Sequence, residues 1–406
     1  MQTFLLLLLS IVLLGPLGID LYLPTIPAIA AGLGSPQAVI QATISLFILV
    51  LGAGQLVAGP LVDNYGRKPV ALAGIALYLA GAVLAALSVS PAMFIASRLV
   101  QGLAVCCTAV VAFSGIRDRM NGEEAARAFG FLNGTLNIVP AMAPLLGGLL
   151  AEAFGWRAPF WFLAGYAAVV FVVIATLLPE TRPADTQPVR GLPLRQYGAI
   201  LRDRRFRTFS LVNAGAMGMA LTYVSLAPTV LMGTGGLSPL HFSLAFGANG
   251  FWILFVSFFA NRVIHKLGRP VCLAVGSLLM LLGALGLVAG VLLLPQAVQP
   301  HWWVYMLPVA AACAGLAFMM GPATSYALEP YGSEAGVASA LVGFVQMAGG
   351  SVLGLAAMAL PLSPKLSLAV MMLAGCLLAL RARLLSKQLR GTLTSLNKNT
   401  SPDQGA

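Results

Sequence analysis

The chain has 406 residues, of which 59% are hydrophobic and 9% charged, with a net charge of +11 and a mean hydropathy of +0.92. Soluble domains carry roughly 25% charged residues, so this composition excludes a water-covered globule and makes lipid the solvent. The positive charge does not form a nucleic-acid stripe, because the basic residues sit in short segments between apolar runs.

In lipid every backbone N–H and C=O must be paired within the protein, which leaves helices or a closed barrel. Barrel strands alternate apolar and polar residues, whereas runs such as 4–22 and 273–294 are continuous and about as long as a membrane-crossing helix. Read this way, the chain predicts an all-α membrane protein with twelve spans. The first six cover 3–25, 38–62, 69–89, 92–116, 126–151 and 159–179. The second six cover 207–232, 240–264, 270–294, 303–328, 335–360 and 364–384. Two six-helix bundles are expected, at 1–180 and 207–390, with a cytoplasmic linker at 181–206 and a disordered polar tail at 391–406. Lys and Arg number twenty in the linker, the tail and the gaps after spans two, four and eight, against two in the opposite gaps. That asymmetry predicts that both termini and the linker face the cytoplasm.

Span one lacks a basic leader and contains Asp20, so it is read as a retained helix rather than a cleaved signal. Asp20 is the one acid inside an apolar run, where a carboxylate costs roughly 2.5–3.5 kcal/mol and should face a cavity or a partner. Burial and a nearby cation act on a carboxyl's proton affinity in opposite directions, so Asp20 is a candidate proton carrier. Its alternative use is as a fixed ion-pair member or a group steadying the kink at Pro24. Span two ends in Gly59-Pro-Leu-Val-Asp63-Asn-Tyr-Gly66-Arg67-Lys-Pro69. Gly59 is expected at a tight helix crossing and Gly66 in a turn. Asp63 opposes its own helix dipole and is expected to answer a cation or the start of span eleven at 332–334. Asn261-Arg-Val-Ile-His265-Lys-Leu-Gly268-Arg269-Pro270 echoes this loop 202 residues later, which points to duplicated halves rocking about a central site.

Span four holds Arg98, the one intramembrane base. At 1.5 Å per residue Asp20 lies roughly 7 Å and Arg98 roughly 10 Å from the outer ends of their spans, so the two are expected to pair directly or through water. Span five carries Pro140, Pro144, Gly147 and Gly148, a set that kinks a helix and suits a hinge or a cavity wall. Tyr22, Phe47, Asn133, Asn137, Asn213, Met217, Tyr223, Trp252, Phe318 and Gln346 are candidate lining for a wide apolar cavity. The cysteines (Cys106, Cys107, Cys272, Cys313, Cys376) lie in apolar runs without metal-site spacing and are read as small hydrophobes. Neither a phosphate-binding loop nor a Ser/His/Asp constellation is present. The expectation is therefore no metal, no cofactor, no nucleic acid and no enzyme, but a monomer in a bilayer whose partners are protons and a small-molecule substrate.

Gly59-x-Leu61-x-Asp63-x-x-Gly66-Arg67-Lys68 resembles the loop 2–3 motif of the major facilitator superfamily. Arg98-x-x-Gln101-Gly102 resembles its helix-four motif, and the run from Pro140 to Gly148 is similar to the helix-five motif of its antiporters. Asp20-x-Tyr22-Leu23-Pro24-x-x-Pro27 is similar to helix one of the bicyclomycin/chloramphenicol resistance branch of drug:proton antiporters. The resemblance implies antibiotic efflux from the cytoplasm across a bacterial inner membrane, driven by the proton gradient. It implies Asp20 as proton carrier, Arg98 as the residue tuning it, and a latch of Gly59, Asp63, Gly66 and Arg67 with Arg117 and Asp118. Asn64 stands where a basic residue is frequent, and Val12 where some relatives carry a second acid. The alternative is a secondary transporter for one metabolite such as a nucleobase, sugar or amino acid.

Overall fold

The structure, a computed structural model, describes residues 2–120, 122–136, 138–183, 191–331 and 335–399. Among these residues twelve helices are long and apolar enough to cross a membrane, and no strand occurs. The first half comprises α1 (Gln2–Gly32), α2 (Gln37–Tyr65), α3 (Arg67–Ala86), α4 (Pro91–Arg119), α5 (Arg127–Phe154) and α6 (Ala158–Leu177). The second comprises α7 (Arg204–Thr234), α8 (Pro239–Ile264), α9 (Arg269–Leu292), α10 (Trp302–Leu328), α11 (Val337–Met358) and α12 (Pro364–Ser386). A short linker helix, Leu194–Arg202, precedes α7 and turns Tyr197 and Ile200 inward. The last helix runs on to Asn399, so the tail expected to be disordered from 391 is helical as far as it is described. Residues 400–406 lie outside the described set.

The two loops that echo each other in sequence also share a shape. Gly66 between α2 and α3 has φ 96° and ψ 162°, and Gly268 between α8 and α9 has φ 82° and ψ 166°. Both lie in the region of positive φ that glycine adopts without strain. Each N–H closes the preceding helix on the residue four before it, Val62 at 3.1 Å and Ile264 at 3.0 Å. The repeat is thus one of backbone conformation as well as of letters.

Two of the spans are broken. In α1 the α-helix stops at Asp20, passes through a 3-10 turn at Leu23–Thr25 and resumes at Ile26. Pro24 and Pro27 cannot donate to the ladder, which removes the bonds that would carry the helix through. In α5 Ile138 stands in a turn, its N–H donating to Thr135 O at 3.0 Å, and the helix restarts at Val139, just before Pro140. A third device recurs in the second half, where α7 ends in a π-helical turn at Thr229–Thr234 and α11 contains one at Val345–Gly349.

Small residues bring the halves together along two seams. At α2–α11, a Cβ on Gly52 would stand 2.8 Å from the Ala348 nitrogen. At α5–α8, a Cβ on Gly247 would stand 2.6 Å from the Ala141 carbonyl oxygen, and Ser243 Oγ donates to Pro144 O at 2.9 Å. Without a hydrophobic drive between helices in lipid, such close backbone packing and interhelical hydrogen bonds are what holds spans together.

Gly147 and Gly59 separate on the same criterion. A Cβ on Gly147 would overlap the carbonyl oxygen of Leu21, at the break of α1, whereas a Cβ on Gly59 would meet nothing within 4 Å. The tight crossing expected at Gly59 is therefore found at Gly147. Gly147→Ala is expected to destabilise the detergent-solubilised protein by about 1–3 kcal/mol, and Gly59→Ala by less than about 0.5 kcal/mol. Equal melting temperatures for the two variants would contradict this packing.

Candidate functional site

Arg98 is the largest fully buried side chain among the described residues, and its partners come from α1, α2 and its own helix. Its Nη2 donates to the carbonyl oxygen of Gly18 at 2.6 Å, and its Nη1 donates to Gln101 Oε1. The guanidinium lies over the rings of Tyr22 and Phe47, 4.6 and 4.7 Å from their centroids. Tyr22 is fixed in turn, its hydroxyl 3.0 Å from Thr43 Oγ1 and its ring packed with Phe94 and Phe160. A desolvated cation gains from aromatic faces and from charge-assisted hydrogen bonds, so this cage replaces the water that Arg98 has lost. Arg98 Nε, Gln101 Nε2 and the Tyr78 hydroxyl are buried there without hydrogen-bond partners.

Asp20 does not join that cage. It is buried at the last residue of the α-helical part of α1, and among the described residues its carboxyl has neither an ion-pair partner nor a hydrogen bond. The expected direct pair with Arg98 is thus replaced by a bond from Arg98 to the Gly18 carbonyl, two residues earlier. The reason lies in the break of α1, which places Tyr22 rather than the carboxylate against the guanidinium. Asp20 instead lies within electrostatic reach of Tyr22 and of Tyr223 on α7, across the boundary between the halves. The turn that follows Asp20 packs against α5, α7 and α8.

The far end of the bundle, opposite the arginine-rich loops, is tied across the halves by Gln41 Nε2 of α2 donating to Thr229 Oγ1 on the π turn of α7. At the arginine-rich end a cavity of about 840 Å³ opens between α2, α4, the linker helix and α11, with Gln55, Gly59, Asp63, Ser114, Arg117 and Tyr197 among its walls. Of the residues singled out from the sequence as cavity lining, those whose side chains are described do not line it. Tyr22 and Phe47 hold Arg98, and Asn213 Nδ2 donates to Thr324 Oγ1 at 2.9 Å. Tyr223 stacks on Phe246 at 5.2 Å, Met217 packs against Gly350, and Trp252 donates to Ala310 O at 2.9 Å. Phe318 is half-buried on α10, and Gln346 is half-buried on the π turn of α11. Asn137 and the side chain of Asn133 lie outside the described residues.

Arg67 organises the arginine-rich end of the first half. Its Nε and Nη2 grip both carboxylate oxygens of Asp118 at 2.7 and 3.2 Å, while Nη1 reaches Asp63 at 3.2 Å and Val62 O at 3.1 Å. Asp63 therefore answers a cation, Arg67, and residues 332–334, the alternative partner expected from the sequence, lie outside the described residues. Arg117 is exposed and reaches Ser114 Oγ at 3.4 Å. Of the helix-five residues, Pro144 presents its carbonyl to Ser243, Gly147 receives α1, Gly148 faces Ser243, and Pro140 stands at the restart of α5.

Glu180, which the sequence reading passed over, caps α3 from outside. Its carboxylate accepts from the backbone N–H groups of Arg67, Lys68, Thr181 and Arg182 at 2.9–3.1 Å. The signal was an acid immediately after span six. The second half carries a matching bracket in which Glu329 takes Arg205 and Arg269. Gln41 and Gln55 were legible too, since Gln41, Ser45, Gly52, Gln55, Gly59 and Asp63 recur on one face of α2 at helical spacing.

Burial pushes the Glu180 carboxyl up, but the four N–H donors more than offset it and hold it below its ordinary value of 4.5. A depressed carboxyl contributes stability above its unfolded pKa and loses it as the pH falls through the folded one. Glu180→Gln should therefore lower the melting temperature at pH 7, with the gap closing below about pH 4; a gap independent of pH would contradict the cap. Arg98→Lys keeps the charge but cannot span Gly18 and Gln101 together, and is expected to cost about 2–3 kcal/mol in thermal unfolding. Arg117→Lys, on the exposed surface, should change little by the same measurement.

Residues 8–355 match the family described as Major Facilitator Superfamily. Multidrug resistance protein MdtL of Escherichia coli O127:H6 is 33% identical over 352 residues, 87% of each chain. MdtL of Shigella boydii serotype 18 has the same identity and coverage, 33% and 87%. A partially occluded inward-open structure of the E. coli xylose transporter XylE superposes with a TM-score of 0.72 over 93% of this chain and 95% of that one; at 16% identity the likeness is one of fold.

Proposed function

The chain belongs to the major facilitator superfamily, and from that membership we propose that it is a proton-coupled antiporter exporting lipophilic drugs or other small organic molecules by alternating access. Similarity to multidrug resistance proteins over 87% of the chain supports the substrate class. The observation that carries the coupling is Asp20, a buried carboxyl at the boundary of the two halves whose nearest intramembrane cation is engaged elsewhere. A carboxylate removed from water must be neutralised by a proton or by a cation. A proton and a basic group on a substrate would compete for that role, which is the thermodynamic requirement of exchange. The drive is the proton gradient, with no cofactor.

In this reading the cavity at the arginine-rich end is the cytoplasmic vestibule, and Gln41–Thr229 is one tie of the closed outer end. The excess of Lys and Arg at one end supports termini in the cytoplasm of a bacterial cell and a multi-pass inner-membrane location. Arg98 acts here as a positioning residue, holding the end of α1 that carries Asp20. The bracket of Arg67, Asp63 and Asp118 keeps the loop between α2 and α3 in one shape as the halves rock.

A gradient of one pH unit supplies about 1.4 kcal/mol per proton, or about tenfold accumulation. Proteoliposomes containing the wild-type protein and a lipophilic cationic dye should show gradient-driven uptake of that order, and Asp20→Asn should abolish it while leaving the protein folded. Full gradient-driven transport by Asp20→Asn would remove the proposed proton carrier. Growth protection of an efflux-deficient host against a drug panel tests the substrate class separately.

A further inference from the structure

A second recess, about 340 Å³, lies between α9 and α12. Its walls are Ala274, Val275, Ser277, Leu278 and Leu281 from α9, with Cys376, Leu380 and Arg383 from α12. The flanking side chains Leu278, Leu282, Leu377 and Leu384 are exposed. On a membrane-crossing helix pair, exposed leucines face acyl chains, so the recess opens on lipid rather than water. Its one hydroxyl, Ser277 Oγ, is already spent on Ala274 O at 2.8 Å.

Arg383 sits at the arginine-rich end of this recess, three residues before the end of α12 at Ser386. Its Nε is buried without a hydrogen-bond partner, and among the described residues Arg383 has no ion pair. At the same end the buried Arg67 pairs with Asp118, the half-buried Arg205 and Arg269 pair with Glu329, and the half-buried Arg182 donates to the carbonyl oxygen of Asn64 at 3.1 Å. A buried, unpaired guanidinium N–H leaves a full desolvation cost unmet. From Arg383 to Cys376, and from Ala274 to Leu281, the recess descends seven residues on each helix, roughly 10 Å into the hydrocarbon. It thus offers a cation at headgroup depth and an apolar channel beneath it.

We propose that the α9–α12 recess is a binding site for an anionic phospholipid of the leaflet at the arginine-rich end, with Arg383 holding the phosphate and one acyl chain lying along Ala274 to Leu281. The forked guanidinium suits phosphate oxygens, and the apolar channel distinguishes a lipid from a free anion. This site is independent of the substrate class proposed above, and needs only that α9 and α12 cross the membrane.

Native mass spectrometry of the full chain in detergent, with phosphatidylglycerol and phosphatidylethanolamine of identical acyl chains added in equal amounts, tests it. The wild type should retain phosphatidylglycerol about fivefold more than phosphatidylethanolamine. Arg383→Gln should bring that ratio close to one, and Arg383→Lys should keep most of it. Arg381→Gln, an exposed base two residues away, should leave it unchanged. Ala274→Leu, which fills the channel with the guanidinium intact, should lower retention of phosphatidylglycerol. Equal retention of the two lipids by wild type, or an equal loss in Arg381→Gln, would overturn the proposal. So would displacement of phosphatidylglycerol by millimolar inorganic phosphate, which would mark a free-anion site.

Discussion

A guanidinium with no access to water must find its hydrogen bonds inside the protein, and the rest of the first half is arranged around that need. Arg98 finds a carbonyl of α1, an amide of its own helix and two aromatic faces. The carbonyl is available because the α-helical ladder stops at Asp20, before Tyr22 N–H could close on it. Tyr22 comes into position because the turn after Asp20 swings it inward. A helix break in a membrane is tolerated only where other groups complete the freed backbone, so the interruption of α1 and the burial of Arg98 explain each other. What remains is the Asp20 carboxyl, two residues beyond Gly18, which no cation among the described residues neutralises.

Around this core the two halves repeat the same solutions. Each has a glycine of positive φ between its second and third helices, followed by an arginine that reaches an acid at the end of its fourth. The seams repeat as well, since α2 meets α11 and α5 meets α8 through glycine and alanine. The repeat is not complete within the spans. The first half contains the buried arginine and the broken helix, while the second contains π turns in α7 and α11. The symmetric parts are those that pack and bracket; the asymmetric parts are the buried Arg98, Asp20 and the helix interruptions.

Much of this was legible in the letters. Continuous apolar runs located all twelve spans, because lipid leaves a helix few alternatives, and the Gly-Arg echo foretold the matching caps. The fate of Asp20 and Arg98 was not legible. Residue counting measures depth along a helix but not the direction a side chain faces once the backbone unwinds, and the 3-10 turn at Leu23–Thr25 turns Tyr22 toward the guanidinium. The aromatic and amide residues marked for a cavity were chosen by type alone, and most of them pack against neighbours. Glu180 was missed because the two partners by which it caps α3 are backbone N–H groups more than a hundred residues away, which no local pattern reveals.

The self-sufficiency of the brackets bears on how the chain is made. Every described partner of Arg67 lies between Val62 and Glu180, and those of Arg98 between Gly18 and Gln101. Glu329 draws its arginines from within the later half. The first six-helix unit therefore contains every described partner of Arg67 and Arg98 before the next six are translated. Biogenesis can then proceed as assembly of two finished pieces, with only glycine-lined seams and a few hydrogen bonds left to join after synthesis ends.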